Sequence, residues 1–180
     1  MNTINIILLI VLIVSILAIF YVNSYNKLMY QKTKTNRALE VINNTLDKKL
    51  ELIKEANTLI KKVTKSKKEY LKDFINPDEH KLSNYDLDRN LDSAFKIIKD
   101  LEGDNESLQK SKKFKELLKE FKDNEEKLCS AKSYFNKNTA ITNGLIKKFP
   151  DMIVARIHGI RIKAYFDSKE LIDEVDVFKL

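Results

Sequence analysis

The chain has no tryptophan, one cysteine, two histidines, two prolines and three glycines in 180 residues. One thiol forms no internal disulfide, so a disulfide-stapled fold is excluded and no oxidising compartment is required. His80 follows Asp78 and Glu79 in an expected loop, and His158 has no acid near it in sequence. Neither stands at a zinc-ligand spacing from Cys129. No glycine-rich phosphate loop occurs, and no serine lies in an elbow motif. The sequence therefore assigns no catalytic residue, no cofactor and no metal. So few breakers over such a length favour long helices over a sheet with many turns.

One acidic pattern invites a metal reading. Asp86, Asp88, Asn90 and Asp92 alternate as the ligands of a calcium loop do. The positions that need glycine and a final glutamate hold Leu91 and Ile97 instead. The pattern reads better as an acidic helix start, which suits the helix dipole.

What the chain does have is a long apolar run. Ile4 to Val22 carries no charge and is interrupted only by Asn5 and Ser15. A membrane helix needs roughly 17 to 25 such residues. Phe20, Tyr21, Tyr25 and Tyr30 stand at its exit, where aromatic rings favour the headgroup layer. A core helix of this length would carry a polar face. A cleaved signal peptide would have a basic start and a small-x-small site, for which Val22-Asn23-Ser24 is a poor match. Residues 1–24 are thus read as an uncleaved anchor and 25–180 as one helical-bundle domain, with residues 4–22 contacting the lipid bilayer. No Lys or Arg precedes the run, whereas Lys27, Lys32, Lys34 and Arg37 follow within about 15 residues. Positive-inside orientation then gives a single-pass protein of the cell membrane, amino terminus outside and domain in the cytoplasm.

Beyond the anchor the pattern is helical. Leu39, Ile42, Leu46, Ile53, Ala56, Ile60 and Val63 follow steps of three and four, with Lys49 breaking the stripe. Leu50, Leu52 and Leu59 widen it beyond a two-stranded coiled-coil seam, which argues for a bundle. Pro77 biases Asn76 out of helical geometry, so this helix is expected to end around Phe74. Asn76 to Asn84 reads as a loop. Ser83 or Asn84 caps a second helix with the stripe Leu87, Leu91, Ala94, Ile98 and Leu101, stopped by Gly103. Asn105 caps a third, with the stripe Phe114, Leu117, Phe121, Leu128, Ala131, Phe135, Leu145 and Phe149, polar gaps at Asn124, Asn138 and Thr142, and Pro150 as its stop. Met152 to Ile157 makes a short fourth helix, His158-Gly159 punctuates it, and Ile160 to Phe166 is extended. The expected fold is all-α: an antiparallel up-and-down bundle of four helices, three long and one short, after an N-terminal transmembrane helix.

The order of several short motifs resembles the LemA family. Ala131-Lys132-Ser133-Tyr134-Phe135-Asn136, Asn143, Phe149-Pro150, Ala155, Gly159 and Tyr165-Phe166 are similar to its third-helix and tail pattern. Phe114, Leu117, Phe121 and Glu125 fit its upstream segment. Leu46-Asp47-Lys48-Lys49 with Leu52-Ile53 fits L-x-R-R-x-x-L-I, and Tyr25-Asn26-Lys27-Leu28 fits Y-N-x-L. This chain departs where the family's proline and asparagine are Lys54 and Glu55, where its Y-P falls at Asn105-Glu106, and where its Y-N tyrosines are Phe135 and Thr142. The resemblance implies a four-helix bundle on a membrane anchor; it implies no chemistry.

Two further constellations bear on partners. Asn36 and Asn43 are seven apart, as are Asn136 and Asn143. If the first and third helices run antiparallel, these amides are placed to bond across the bundle and set its register. Lys61, Lys62, Lys65, Lys67 and Lys68 form one basic run and Lys110, Lys112, Lys113 and Lys115 another. Their plain reading is solvated helix ends. A formal charge of +7 suits anionic lipid near a bilayer. Nucleic acid is disfavoured, because only Tyr70 lies near the first run to stack on a base. The expected role is a scaffold or interaction module with a protein partner at the membrane, not an enzyme. The alternatives are a basic tether for nucleic acid or anionic lipid, or a non-catalytic subunit of a membrane enzyme.

Overall fold

The computed structural model describes residues 2–65, 70–75 and 82–166. Six helices follow in order: α1 (Thr3–Thr64), α2 (Lys72–Ile75), α3 (Asn84–Asp104), α4 (Glu106–Lys110), α5 (Lys112–Ile146) and α6 (Asp151–Ile157). No strand occurs among the described residues. The all-helical class thus stands, with six helices among the described residues in place of the four expected. The loop expected from Asn76, with Pro77 and His80, falls largely outside the described residues. So does the tail beyond Phe166.

α1 runs unbroken from the apolar segment into the charged region. No proline or glycine interrupts it. Its polar positions are absorbed locally: the hydroxyls of Ser15, Thr33, Thr35, Thr45, Thr58 and Thr64 each donate to the carbonyl four residues earlier. The helix ends at Thr64 and not near Phe74. Lys65 takes a left-handed φ of 53°, a helix-ending geometry that glycine usually provides. A lysine gives no such signal in sequence. Lys61 and Lys62 occupy the last turn, where cations suit the dipole.

The chain forms two compact units, Ala38–Ser133 and Met1–Arg37 with Tyr134–Leu180. α1 and α5 each contribute to both.

In the Ala38–Ser133 unit the predicted stripes form the core. Ile42, Leu46, Ile53, Ala56 and Ile60 are buried, as are Leu91, Ala94 and Ile98, and Phe114, Leu117, Phe121 and Leu128. Phe95 and Phe121 meet with ring centroids 4.7 Å apart. The Asn84 amide donates to Asn43, and the Lys49 ammonium donates to Asp88 and Asp92. The partner numbers rise together, so α3 runs in the same direction as α1 here. Lys132 meets Asp88 while Phe121 meets Phe95, so α5 runs opposite to α3. Up-and-down alternation had placed the first two long helices antiparallel. The contacts correct this: α3 begins beside the middle of α1, not beside its end.

Caps explain the breaks. Ser83 caps α3 through the Asp86 N–H. The Asn105 carboxamide oxygen accepts from the Ser107 and Leu108 N–H groups and starts α4. The expected third helix is in fact two, because Ser111 leaves helical geometry (ψ 115°) between α4 and α5. Gly103 sits in the last turn of α3.

In the other unit, Leu28, Leu145, Val154 and Ala155 form a buried cluster flanked by Tyr25, Ile146 and Ile160. α5 stops at Ile146, before Pro150. Phe149 therefore leaves the helical period and is 78% exposed, although its spacing had placed it in the core. Gly159, at φ 59°, closes α6 in the left-handed region that glycine adopts without strain.

Candidate functional site

Three constellations bring polar groups together. The first is an ionic cluster around Lys49. This lysine is 2% exposed, at the position where the apolar stripe of α1 is interrupted. Its ammonium lies 3.1 Å from Asp88 Oδ1 and 2.9 Å from Glu125 Oε2, and it also bonds Asp92. The other Asp88 oxygen bonds the Lys132 ammonium. Asp88 is buried, whereas Asp92 and Glu125 are about half exposed. Burial alone would lower the Lys49 pKa. The hydrogen bonds to Asp92 and Glu125 and the charges of Asp88 and Asp92 outweigh it and hold the ammonium above the ordinary lysine value. One face of α3 thus supplies Asp88 and Asp92, one turn apart, and α5 supplies Glu125 and Lys132. Asn124, beside Glu125, donates to the Thr45 carbonyl at 3.1 Å.

This cluster accounts for the acidic alternation at the start of α3. Asp88 and Asp92 face a lysine ammonium, and Asp86 belongs to the cap, bonded to the Ser83 hydroxyl. Among the described residues no group of three acids, histidines or cysteines is placed to hold a metal ion.

The second constellation uses the asparagines. They do not bond to one another across the bundle, as their spacing had suggested. Asn143 donates to the Lys163 carbonyl at 2.8 Å and accepts from the Lys163 N–H at 3.0 Å. Asn136 accepts from the Phe166 N–H at 2.8 Å. Asn36 accepts from the Lys163 ammonium, and Asn43 pairs with Asn84. Asn136 and Asn143 on α5 therefore hold the chain after α6 along the helix, by its backbone. Burial, followed by the nearby Lys32 charge, lowers the Lys163 pKa. A cleft of about 240 Å³ is lined by Lys32, Thr35 and Thr142 and by the stretch from Gly159 to Lys163. That is below the roughly 300 to 1,000 Å³ of ordinary ligand pockets.

The third lies at the exit of the apolar run. The Tyr21 hydroxyl is 2.8 Å from His158 Nε2, the Tyr25 ring centroid is 4.7 Å from that of His158, and Lys27 bonds Asp151 at 3.1 Å. Sequence separation hid this: Tyr21 and His158 are 137 residues apart.

Other candidates stay apart. Cys129 is exposed. Lys67, Lys68 and His80 lie outside the described residues. Lys110 pairs with Glu106, and Lys112 and Lys113 begin α5, where the dipole does not favour cations.

A family model for LemA matches residues 32–177, most of the chain. The chain belongs to the LemA family. The match begins after the apolar run, so the likeness at Tyr25–Leu28 falls outside it. Inside it lie the whole ionic cluster, the asparagine clamp and α6. Comparison with curated proteins and with solved structures finds no match for this LemA-family chain. By length and composition, α1 is the one described helix able to cross a membrane, and its apolar window is wholly exposed.

Proposed function

We propose that this LemA-family chain is a single-pass protein of the cell membrane whose helical domain, on the cytoplasmic side, holds a protein partner at the membrane surface. The observation that carries the reading is the continuity of α1. An apolar segment with no buried face passes into the core stripe of the bundle without a break. The basic residues that follow Val22 favour the cytoplasmic side. The role is interaction rather than turnover. The charged groups taken into the Ala38–Ser133 core neutralise one another, and the asparagine amides of α5 bind the chain's own backbone, so both sets serve the architecture.

Crosslinking the full-length chain in native membranes, followed by partner identification, tests this. The expected result is one protein partner recovered reproducibly and lost when surface residues of the domain are changed. Recovery of lipid and self-contacts alone overturns the scaffold role, and turnover of a substrate by the purified chain overturns the non-enzymatic one.

A further inference from the structure

The face of α6 that turns away from Leu28 and Leu145 is apolar and, among the described residues, unpartnered. Met152, Ile153 and Ile157 are 40%, 49% and 63% exposed, and Phe149, four residues before Ile153, joins them. The opposite face, Val154 and Ala155, is buried against Leu28 and Leu145. α6 is thus amphipathic, with its apolar outer face in water unless something covers it.

Its contacts fix its depth along α1. The Asp151 end bonds Lys27, and His158 just past the other end meets Tyr21 and Tyr25. α6 therefore runs antiparallel to α1, and its end lies level with the last residues of the Ile4–Val22 run. Ile157 stands beside the aromatic exit of that run. The surrounding exposed charges are cationic: Lys147, Lys148, Arg156 and Arg161. Asp151, the acid of this stretch, is buried and paired with Lys27.

We infer that the His158 end of α6 dips into the leaflet from which α1 emerges, with Ile157 at the upper acyl layer, Ile153 above it, and Met152 and Phe149 at the level of the headgroups. The inference rests on the membrane reading of Ile4–Val22. The occupant is lipid because the Ile157 end of the patch lies level with the end of the exposed apolar surface of α1, where a bilayer replaces water. An apolar face with basic residues at its margin is the chemistry of helices that lie in anionic interfaces. Two attachments, one spanning and one dipping into the headgroup layer beside it, then hold this end of the molecule. His158 links them through Tyr21.

The test uses the full chain with Cys129→Ser and one new cysteine carrying an environment-sensitive fluorophore. It is reconstituted in vesicles of phosphatidylcholine and phosphatidylglycerol with or without bromine on the acyl chains. Labels go at Ile157→Cys, at Phe149→Cys (outside any helix and clear of the core), at Leu17→Cys as the spanning reference and at Glu126→Cys as the water reference. The expected result is blue-shifted emission and several-fold more quenching at Leu17 and Ile157 than at Glu126, with Phe149 between Ile157 and Glu126. Quenching at Leu17 with Phe149 and Ile157 both behaving like Glu126 overturns the interfacial helix and leaves the anchor standing. A Leu17 label that is not quenched overturns both.

Discussion

Asn143 grips the backbone of Lys163 with both ends of its amide, donating to the carbonyl and accepting from the N–H. A carboxamide here takes the place of a neighbouring peptide group, so a segment with no regular structure is held on α5 as a strand would be held by its partner. Seven residues earlier, Asn136 accepts from the Phe166 N–H in the same way.

Replacing Asn143 by alanine removes both bonds and leaves the Lys163 backbone groups partly buried. The expected cost is about 1 to 3 kcal/mol, and amide exchange at Lys163 speeds up while exchange in the Ala38–Ser133 unit is unchanged. Asn43→Ala, at an exposed pair with Asn84, is expected to stay within about 0.5 kcal/mol. Equal effects from the two substitutions in denaturant unfolding would contradict the clamp.

The Lys49 cluster makes a graded prediction. Asp88→Ala strips a buried carboxylate from two ammonium groups and is expected to cost about 3 to 5 kcal/mol. Asp92→Ala removes a half-exposed partner and is expected to cost about 1 kcal/mol or less. Lys49→Met falls between them, because its stem volume is kept while Asp88 retains Lys132. An Asp92 effect as large as that of Asp88, measured by urea unfolding, would mean that burial is not what sets the scale.

The same lysine gives a pH dependence. Its folded pKa is raised above the ordinary 10.5, so its contribution to stability is fully present below that value and is lost as pH rises through the folded pKa. Stability from this group is thus flat from neutrality to about pH 10 and falls in stronger alkali. Lys49→Met is expected to flatten part of that alkaline fall. An unchanged alkaline limb in the variant would assign the fall to other groups.

Caps offer a local check. Asn105 accepts two N–H groups at the start of α4, so Asn105→Ala is expected to cost about 1 kcal/mol. Asn105→Asp should cost less. Thermal unfolding of the two variants decides it.

Much of this was legible in the sequence, for reasons that can be named. The stripes from Leu39 and Leu87 became cores because helical periodicity reports burial directly. Ser83 and Asn105 cap where their side chains allow. The break at Lys49 was visible as an anomaly, but its partners come from two other helices, and one sequence does not show which carboxylates converge. Asp88 and Asp92 read as a solvated acidic helix start for the same reason: spacing within one helix says that they share a face, not what the face meets. The stop at Lys65 was hidden because any residue can take a left-handed turn when the tertiary structure requires it. Phe149 misled because its spacing continues a period that the backbone abandons after Ile146. The asparagine clamp was half legible: the seven-residue spacing was noticed, but the partner is backbone, which leaves no trace in residue type.

The central claim is that α1 holds the chain in the membrane with the bundle on the cytoplasmic side. The most direct measurement attaches, after Leu180 of the full chain, either a reporter active only outside the cytoplasm or one active only within it. The account predicts that the outer reporter is silent and the inner one active, with both fusions remaining in the membrane fraction after alkaline washing. Activity of the outer reporter, or release of the fusions by the wash, would contradict it.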